Sequence, residues 1–203
     1  MPLNRERHFR IILNTRIRLQ SAWNWPSKKG VSLVVIAAIF LTLPLCLAFA
    51  AFTDLLSMTI PNRISLILLL SFILIAPFSG MDWQTFAMSL AAAAAVFFAC
   101  FALFAANVMG GGDAKLLTAA AVWYGFNLSL IEFLLSVTFV GGLLTLGILL
   151  LRSRSQEIMA SGIPLPDSLL AAKKIPYGIG IAIAGFLTYG NAPIVEAAIA
   201  SLS

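Results

Sequence analysis

GVSLVVIAAIFLTLPLCLAFAAFT, from Gly30 to Thr53, runs for twenty-four positions without a charge and stops at Asp54. About 20 apolar residues in a helix cross a hydrocarbon core, so this stretch alone predicts a membrane span. Five further uncharged runs follow it: Ile64–Met81, Trp83–Gly112, Leu116–Ile131, Phe133–Leu151 and Ile175–Val195. The runs are continuous, rich in Leu, Ala, Ile and Phe, and lack the ten-residue alternation of an outer-membrane barrel. In lipid a helix satisfies its backbone groups within one segment. The reading is therefore an all-α, polytopic membrane helix bundle of about six transmembrane helices, the fourth run, of 16 residues, being the shortest.

The whole chain agrees with that reading. It has 203 residues, 61% hydrophobic and 10% charged, with a mean hydropathy of +0.99, whereas soluble domains carry about 25% charged residues. The net charge of +5 sits in short clusters beside apolar runs, which fits phospholipid headgroups and not nucleic acid. Residues 1–29 form a separate basic element, with Arg5, Arg7, Arg10, Arg16, Arg18, Lys28 and Lys29 interspersed with Phe9, Ile12, Leu13, Ile17 and Trp23. Two readings of it stay open, an in-plane amphipathic helix and a solvated tail. It lacks the form of a cleavable signal peptide, because some thirty polar and basic residues precede the first apolar run. Residues 30–203 make up one membrane-embedded domain.

Charge chemistry inside that domain is sparse. Cys46 and Cys100 both fall in apolar runs, and the one histidine is His8 in the tail. No zinc-binding spacing and no Ser-His-Asp or Cys-His set can be assembled from them, so no cofactor and no metal are expected. Of the eight acidic residues, Glu6 lies in the tail, Asp82 and Glu132 at short turns, Glu157 and Asp167 in the polar loop after the fifth run, and Glu196 near the C-terminus. Asp54 and Asp113 instead lie directly against apolar helix ends. Carboxylates at a membrane boundary are costly, which makes a functional role the default hypothesis. Asp54 follows the first span and opens a loop through Ile60-Pro61-Asn62, with Asn62 expected to cap the second helix. Asp113 follows Gly110-Gly111-Gly112 between the third and fourth spans. Both connections are odd-to-even, so both aspartates belong to one face of the membrane, and they meet if the first and fourth helices are neighbours. Two close carboxylates cannot both ionise easily. They titrate as a unit and supply a base for water and an acid for the scissile amide. The bland alternatives are that Asp113 merely caps the fourth helix and that Asp54 is a solvated helix-end residue. A phosphate loop is disfavoured, since the glycines are followed by Asp113-Ala114-Lys115-Leu116 and not by Lys-Ser/Thr.

Taken in order, Asp54 with Pro61-Asn62 seven positions on, Gly110-Gly111-Gly112-Asp113-Ala114-Lys115-Leu116, and Ile175-Pro176-Tyr177-Gly178 resemble the prepilin peptidases of the GxGD membrane aspartyl protease class. The likeness spans roughly Leu33 to Gly190 and is nearest to the small, single-domain members that serve tight-adherence (Flp-type) pili. The resemblance implies a catalytic pair of Asp54 and Asp113, with Gly110 and Gly112 as the GxGD glycines and Lys115, Pro61 and Asn62 in supporting positions. Lys115 has two readings, electrostatic action on Asp113 or snorkelling to headgroups. The implied substrate is a prepilin-like protein whose short basic leader is cut at the cytoplasmic face of the bacterial inner membrane. The oligomeric state is open. The chain departs from the larger bifunctional members in lacking paired CxxC motifs, and its Leu55–Thr59 stretch is uncharged. A non-catalytic polytopic protein, such as a small ion-coupled transporter using a boundary aspartate, is the competing reading.

Orientation follows from the loops. Those after the first, third and fifth runs hold Arg63, Lys115, Arg152, Arg154, Lys173 and Lys174, and those after the second and fourth hold no Lys or Arg. The positive-inside rule puts the first set, with both aspartates, in the cytoplasm. The same parity places the basic tail outside, against the rule, unless it re-enters as an in-plane element or translation starts downstream of Met1.

Overall fold

In the computed structural model, residues 32–154 and 175–202 are described. They form seven α-helices: α1 Leu33–Ser57, α2 Asn62–Ile75, α3 Trp83–Ala105, α4 Gly111–Tyr124, α5 Leu128–Ser153, α6 Tyr177–Thr188 and α7 Pro193–Ala200. A 3₁₀ turn, Ala76–Ser79, prolongs α2, and another, Tyr189–Asn191, joins α6 to α7. No strand occurs among the described residues, and the fold is the expected all-α membrane bundle. The basic tail, and residues 155–174 with Lys173 and Lys174, lie outside the described residues.

Local chemistry sets most of the ends. Ser32 accepts from the Val35 amide at 3.4 Å and starts α1. Asp82 starts α3 by accepting from the amide of Thr85 at 3.1 Å and from its hydroxyl at 2.5 Å. Asn127 starts α5 through the Ser129 amide. Pro44 lies inside α1, a position that membrane helices tolerate.

From α1 to α6 the helices alternate in direction, and α7 continues α6 beyond a bend. Call the end that carries the α1–α2 loop proximal and the opposite end distal. Four helical stretches, α1, Asn62–Ser79, α3 and α5, are long and apolar enough to cross a membrane, and the α6–α7 pair, bent by 42°, makes a fifth if counted as one. The fourth predicted span differs. It is α4, fourteen residues long or about 21 Å, short of the roughly 30 Å of a hydrocarbon core. Its reach is visible at Gly125, where a Cβ would lie 3.1 Å from the hydroxyl of Ser89, a residue already inside α3. The helix starts at the proximal end and stops beneath the distal surface.

What α4 lacks in length it makes up in burial. Leu116, Leu117 and every residue from Ala119 to Tyr124 are buried, and α2, α3 and α6 pack around it. Trp123 donates to the Leu68 carbonyl at 3.1 Å and meets Phe72 edge-on. Tyr124 stacks on Phe133 and pairs with the Thr188 hydroxyl at 3.0 Å. The Ala91–Ala95 run serves the same centre, since Ala92 and Ala93 lie on the buried face of α3 with Ser89, Val96 and Cys100. At the other side, α5 meets α6 where a Cβ on Gly180 would stand 3.2 Å from Gly141 Cα, a small-residue crossing of the membrane kind. Outward-facing Leu and Phe side chains such as Leu45, Phe98, Leu135 and Phe139 stay exposed, as a lipid-facing surface requires.

Asp82 offers a check on this distal rim. Hydrogen bonds, first from the Thr85 hydroxyl, hold its carboxyl below the ordinary carboxylate range. A depressed folded-state value means that the capping contribution is present above the ordinary range and is lost as the pH falls through the depressed value. Asp82→Ala is expected to lower stability by about 0.5 kcal/mol at pH 7, the low end for an exposed cap, and to have a smaller effect at an acid pH below the ordinary carboxylate range. Thermal unfolding of both proteins in detergent at the two pH values measures it.

Candidate active site

Asp54 is not in a loop: α1 continues through it to Ser57, and the Met58 amide closes the helix on the Asp54 carbonyl at 2.9 Å. The reason is an uncharged Leu55-Leu56-Ser57 stretch that prolongs the turn until Met58 adopts a left-handed conformation, φ 52°. The carboxylate therefore projects from the last turn of a membrane helix. It is 5% exposed and is the one charged side chain in the buried set among the described residues.

Its partner comes from the other end of the sequence. Gly178, the second residue of α6, donates its amide to Asp54 Oδ2 at 2.7 Å. Pro176 occupies the cap position of α6 and offers no side-chain bond, so the first turn of α6 is capped by a carboxylate from α1. Glycine is needed for this approach. A Cβ at 178 would stand 2.8 Å from Asp54 Oδ2 and 3.0 Å from its Cβ, closer than such atoms come.

Asp113 lies in the first turn of α4. The cap residue there is Gly110, not Asp113, because the three glycines let the helix begin before the aspartate is reached. The carboxylate turns back over that cap: a Cβ on Gly110 would be 2.7 Å from Asp113 Oδ2. Gly111 faces the ring of Phe104, and Gly112 faces Ile60, where an added Cβ would meet the Ile60 Cβ at 3.2 Å.

Ile60 belongs to the α1–α2 loop, so its contact with Gly112 joins that loop to the first turn of α4. A second tie is the Lys115 ammonium, which donates to Asn62 Oδ1 at 3.0 Å. Asn62 is thus not the cap of α2. It is the first residue of the helix, and Pro61 holds the cap position with φ −60°. Lys115 is exposed, and its described partner is this asparagine. Both aspartates accordingly occupy the proximal end. Helices α1 and α4 are joined through α2 and α6, each of which packs on both.

Each carboxylate therefore lies at a helix N-terminus, Asp113 at its own and Asp54 at that of α6, where peptide dipoles favour negative charge. The described cations, Arg63, Lys115, Arg152 and Arg154, all belong to the proximal end, whereas Asp82, Glu132 and Glu196 belong to the distal segments. Among the described residues, no three His, Cys, Asp or Glu side chains gather in a metal-binding group. The role of Gly178 is what sequence reasoning missed. Its signal was the Pro176-Tyr177-Gly178 order, a helix start without a capping side chain.

The family model for the type IV leader peptidase family matches residues 30–146. The matched stretch contains Asp54, Pro61, Asn62, Gly110, Gly112, Asp113 and Lys115, and it ends inside α5, before Tyr177 and Gly178. No curated protein and no solved structure matches the chain.

The tie between α2 and α4 is testable without any assay of activity. Lys115→Met and Asn62→Ala are each expected to be mildly destabilising, and the double variant to lose about 0.5 kcal/mol less than their sum. Denaturant or thermal unfolding of the four proteins in detergent gives the coupling. Strict additivity means that the two side chains do not interact.

Proposed function

The chain belongs to the type IV leader peptidase family, a family of proteases, and from that membership we infer that it is a membrane aspartyl endopeptidase using Asp54 and Asp113 to remove the leader of a prepilin-like substrate. The observation that carries the aspartyl reading is that two acidic side chains at helix ends come to one end of the bundle, Asp113 turned over Gly110 and Asp54 set against Gly178, where no side chain fits. In this reading one carboxylate takes a proton from water and the other gives one to the scissile carbonyl, and helix N-termini at both carboxylates stabilise the single charge that the pair retains. The peptidase domain is residues 30–203, with the basic residues 1–29 as a separate element. Membership of a protease family counts against the transporter reading, which gives no reason for two aspartates at one end.

The site faces the cytoplasm in this proposal, the protein being a multi-pass component of the bacterial inner membrane. Segregation of Arg63, Lys115, Arg152 and Arg154 at the proximal end supports that orientation, because short cytoplasmic loops are enriched in such cations. The Flp-type pilus remains the proposed setting on the strength of the motif resemblance.

Two measurements test this. Asp54→Asn and Asp113→Asn are each expected to reduce cleavage of a prepilin by purified protein in detergent by about 10³-fold or more, with the double variant no worse than either single one. Near wild-type activity in either single variant removes the pair from the mechanism. For orientation, single cysteines at Asp82 and Phe126, in a background without Cys46 and Cys100, are expected to react with an impermeant maleimide in intact spheroplasts, and one at Thr59 is expected to be protected. The reverse pattern puts the site outside.

A further inference from the structure

Beneath the proposed dyad lies an interaction that the family match does not reach: the amide of Gly178 on Oδ2 of Asp54. We propose that this amide is a positioning group for the reaction, fixing the Asp54 carboxylate through Oδ2 so that Oδ1 is the oxygen that takes the proton of the attacking water. The proposal rests on the aspartyl-protease reading and assigns distinct roles within it, Asp54 as base and Asp113 as acid.

Three observations support it. An N–H can only donate, so Oδ2 is committed as an acceptor, while the Asp54 side chain shows no other hydrogen bond among the described residues. The donor is itself held in place. Pro176 presets the entry to α6, the Tyr177 ring lies against Gly141, where a Cβ would meet it at 2.7 Å, and the Tyr177 hydroxyl accepts from Thr145 Oγ1 at 3.3 Å. Finally, the space is closed to any side chain at 178, which ties the identity of that residue to the carboxylate and not to a turn, since Gly178 is helical and carries no positive φ.

The chemistry balances around this arrangement. Asp54 Oδ1 accepts a proton from water as the water oxygen bonds to the scissile carbon, and Asp113 delivers its proton to the carbonyl oxygen, giving a neutral tetrahedral diol. The Asp54 proton then passes to the leaving nitrogen as the C–N bond breaks, and Asp113 recovers a proton from one hydroxyl. The products are an acid and an amine, with both aspartates restored. Throughout, an amide aimed at Oδ2 keeps the carboxylate from rotating its two oxygens out of role, the preorganisation by which a fixed donor speeds a reaction.

The test removes the N–H without adding an atom to the cleft. Full-length protein with glycolate in place of glycine at 178, made by nonsense suppression, carries a backbone ester there. Its kcat is expected to fall by about tenfold or more with KM within about twofold of wild type, and Gly178→Ala, which pushes a methyl group at Oδ2, to fall further. Thermal midpoints in detergent supply the second readout: the ester and Asp54→Ala remove the same bond, so their shifts are expected not to add. A residue that serves only helix stability would lower the midpoint and leave kcat unchanged. Wild-type kcat in the ester protein, with Asp54→Asn inactive, overturns the role of Gly178 and leaves the dyad standing. An active Asp54→Asn instead overturns the aspartyl reading itself.

Discussion

Placing a carboxylate in the last turn of a membrane helix and burying it is the constraint from which the rest of the proximal end follows. A buried polar group without a partner is costly in an apolar medium. Among the described residues Asp54 has one donor, the Gly178 amide, and that bond imposes conditions on three other places in the chain. Residue 178 must lack a side chain. The first turn of α6 must begin without its own cap, which Pro176 ensures. α6 must also be pressed against α1 and α5 closely enough for a 2.7 Å bond, which the Gly141–Gly180 crossing and the Tyr177 ring bring about.

The same economy shapes α4. A helix that brings Asp113 to the proximal surface in its first turn does not also need to reach the distal one, and α4 ends under Ser89. Because α2, α3 and α6 surround it, its distal end at Tyr124 and Gly125 is buried and shielded from lipid, the condition under which an incomplete span is tolerated. The short central helix and the longer outer ones thus divide two tasks, carrying the acidic side chain and crossing the membrane.

Much of this was legible in the sequence, and the parts that were not share a cause. Uncharged length located the six helical stretches, and parity put Asp54 and Asp113 at one end, since both depend only on counting. Helix ends were less accurate. Asp54 looked like a loop residue because charge was taken to end a span, yet α1 continues to Ser57. Asn62 looked like a cap, and Pro61 takes that position, leaving the asparagine to accept from Lys115. Asp113 looked like a cap as well, and Gly110 displaces it by three residues. In each case the local preference was real but was outcompeted by a contact with a residue far along the chain, or by glycines that start a helix early. The fourth run passed for a span because a central helix and a lipid-facing one are equally apolar.

That equality explains why the two glycines beside the aspartates differ so much in visibility. In a soluble protein a helix advertises its inner face through the alternation of apolar and polar residues. Here lipid is as apolar as the interior, so Leu43 is fully buried and Leu45 is 62% exposed with no difference in residue type. What information remains lies in the small and the polar residues. Gly110 lies three positions before Asp113, and its role is readable from a tetrapeptide. Gly178 lies 124 positions from Asp54, and nothing local marks it as the residue against which the first aspartate is set. The pairing becomes visible only when the bundle closes, because it is decided by which helices touch, and in an apolar solvent that choice rests on close backbone approach at glycines and on a few buried hydrogen bonds.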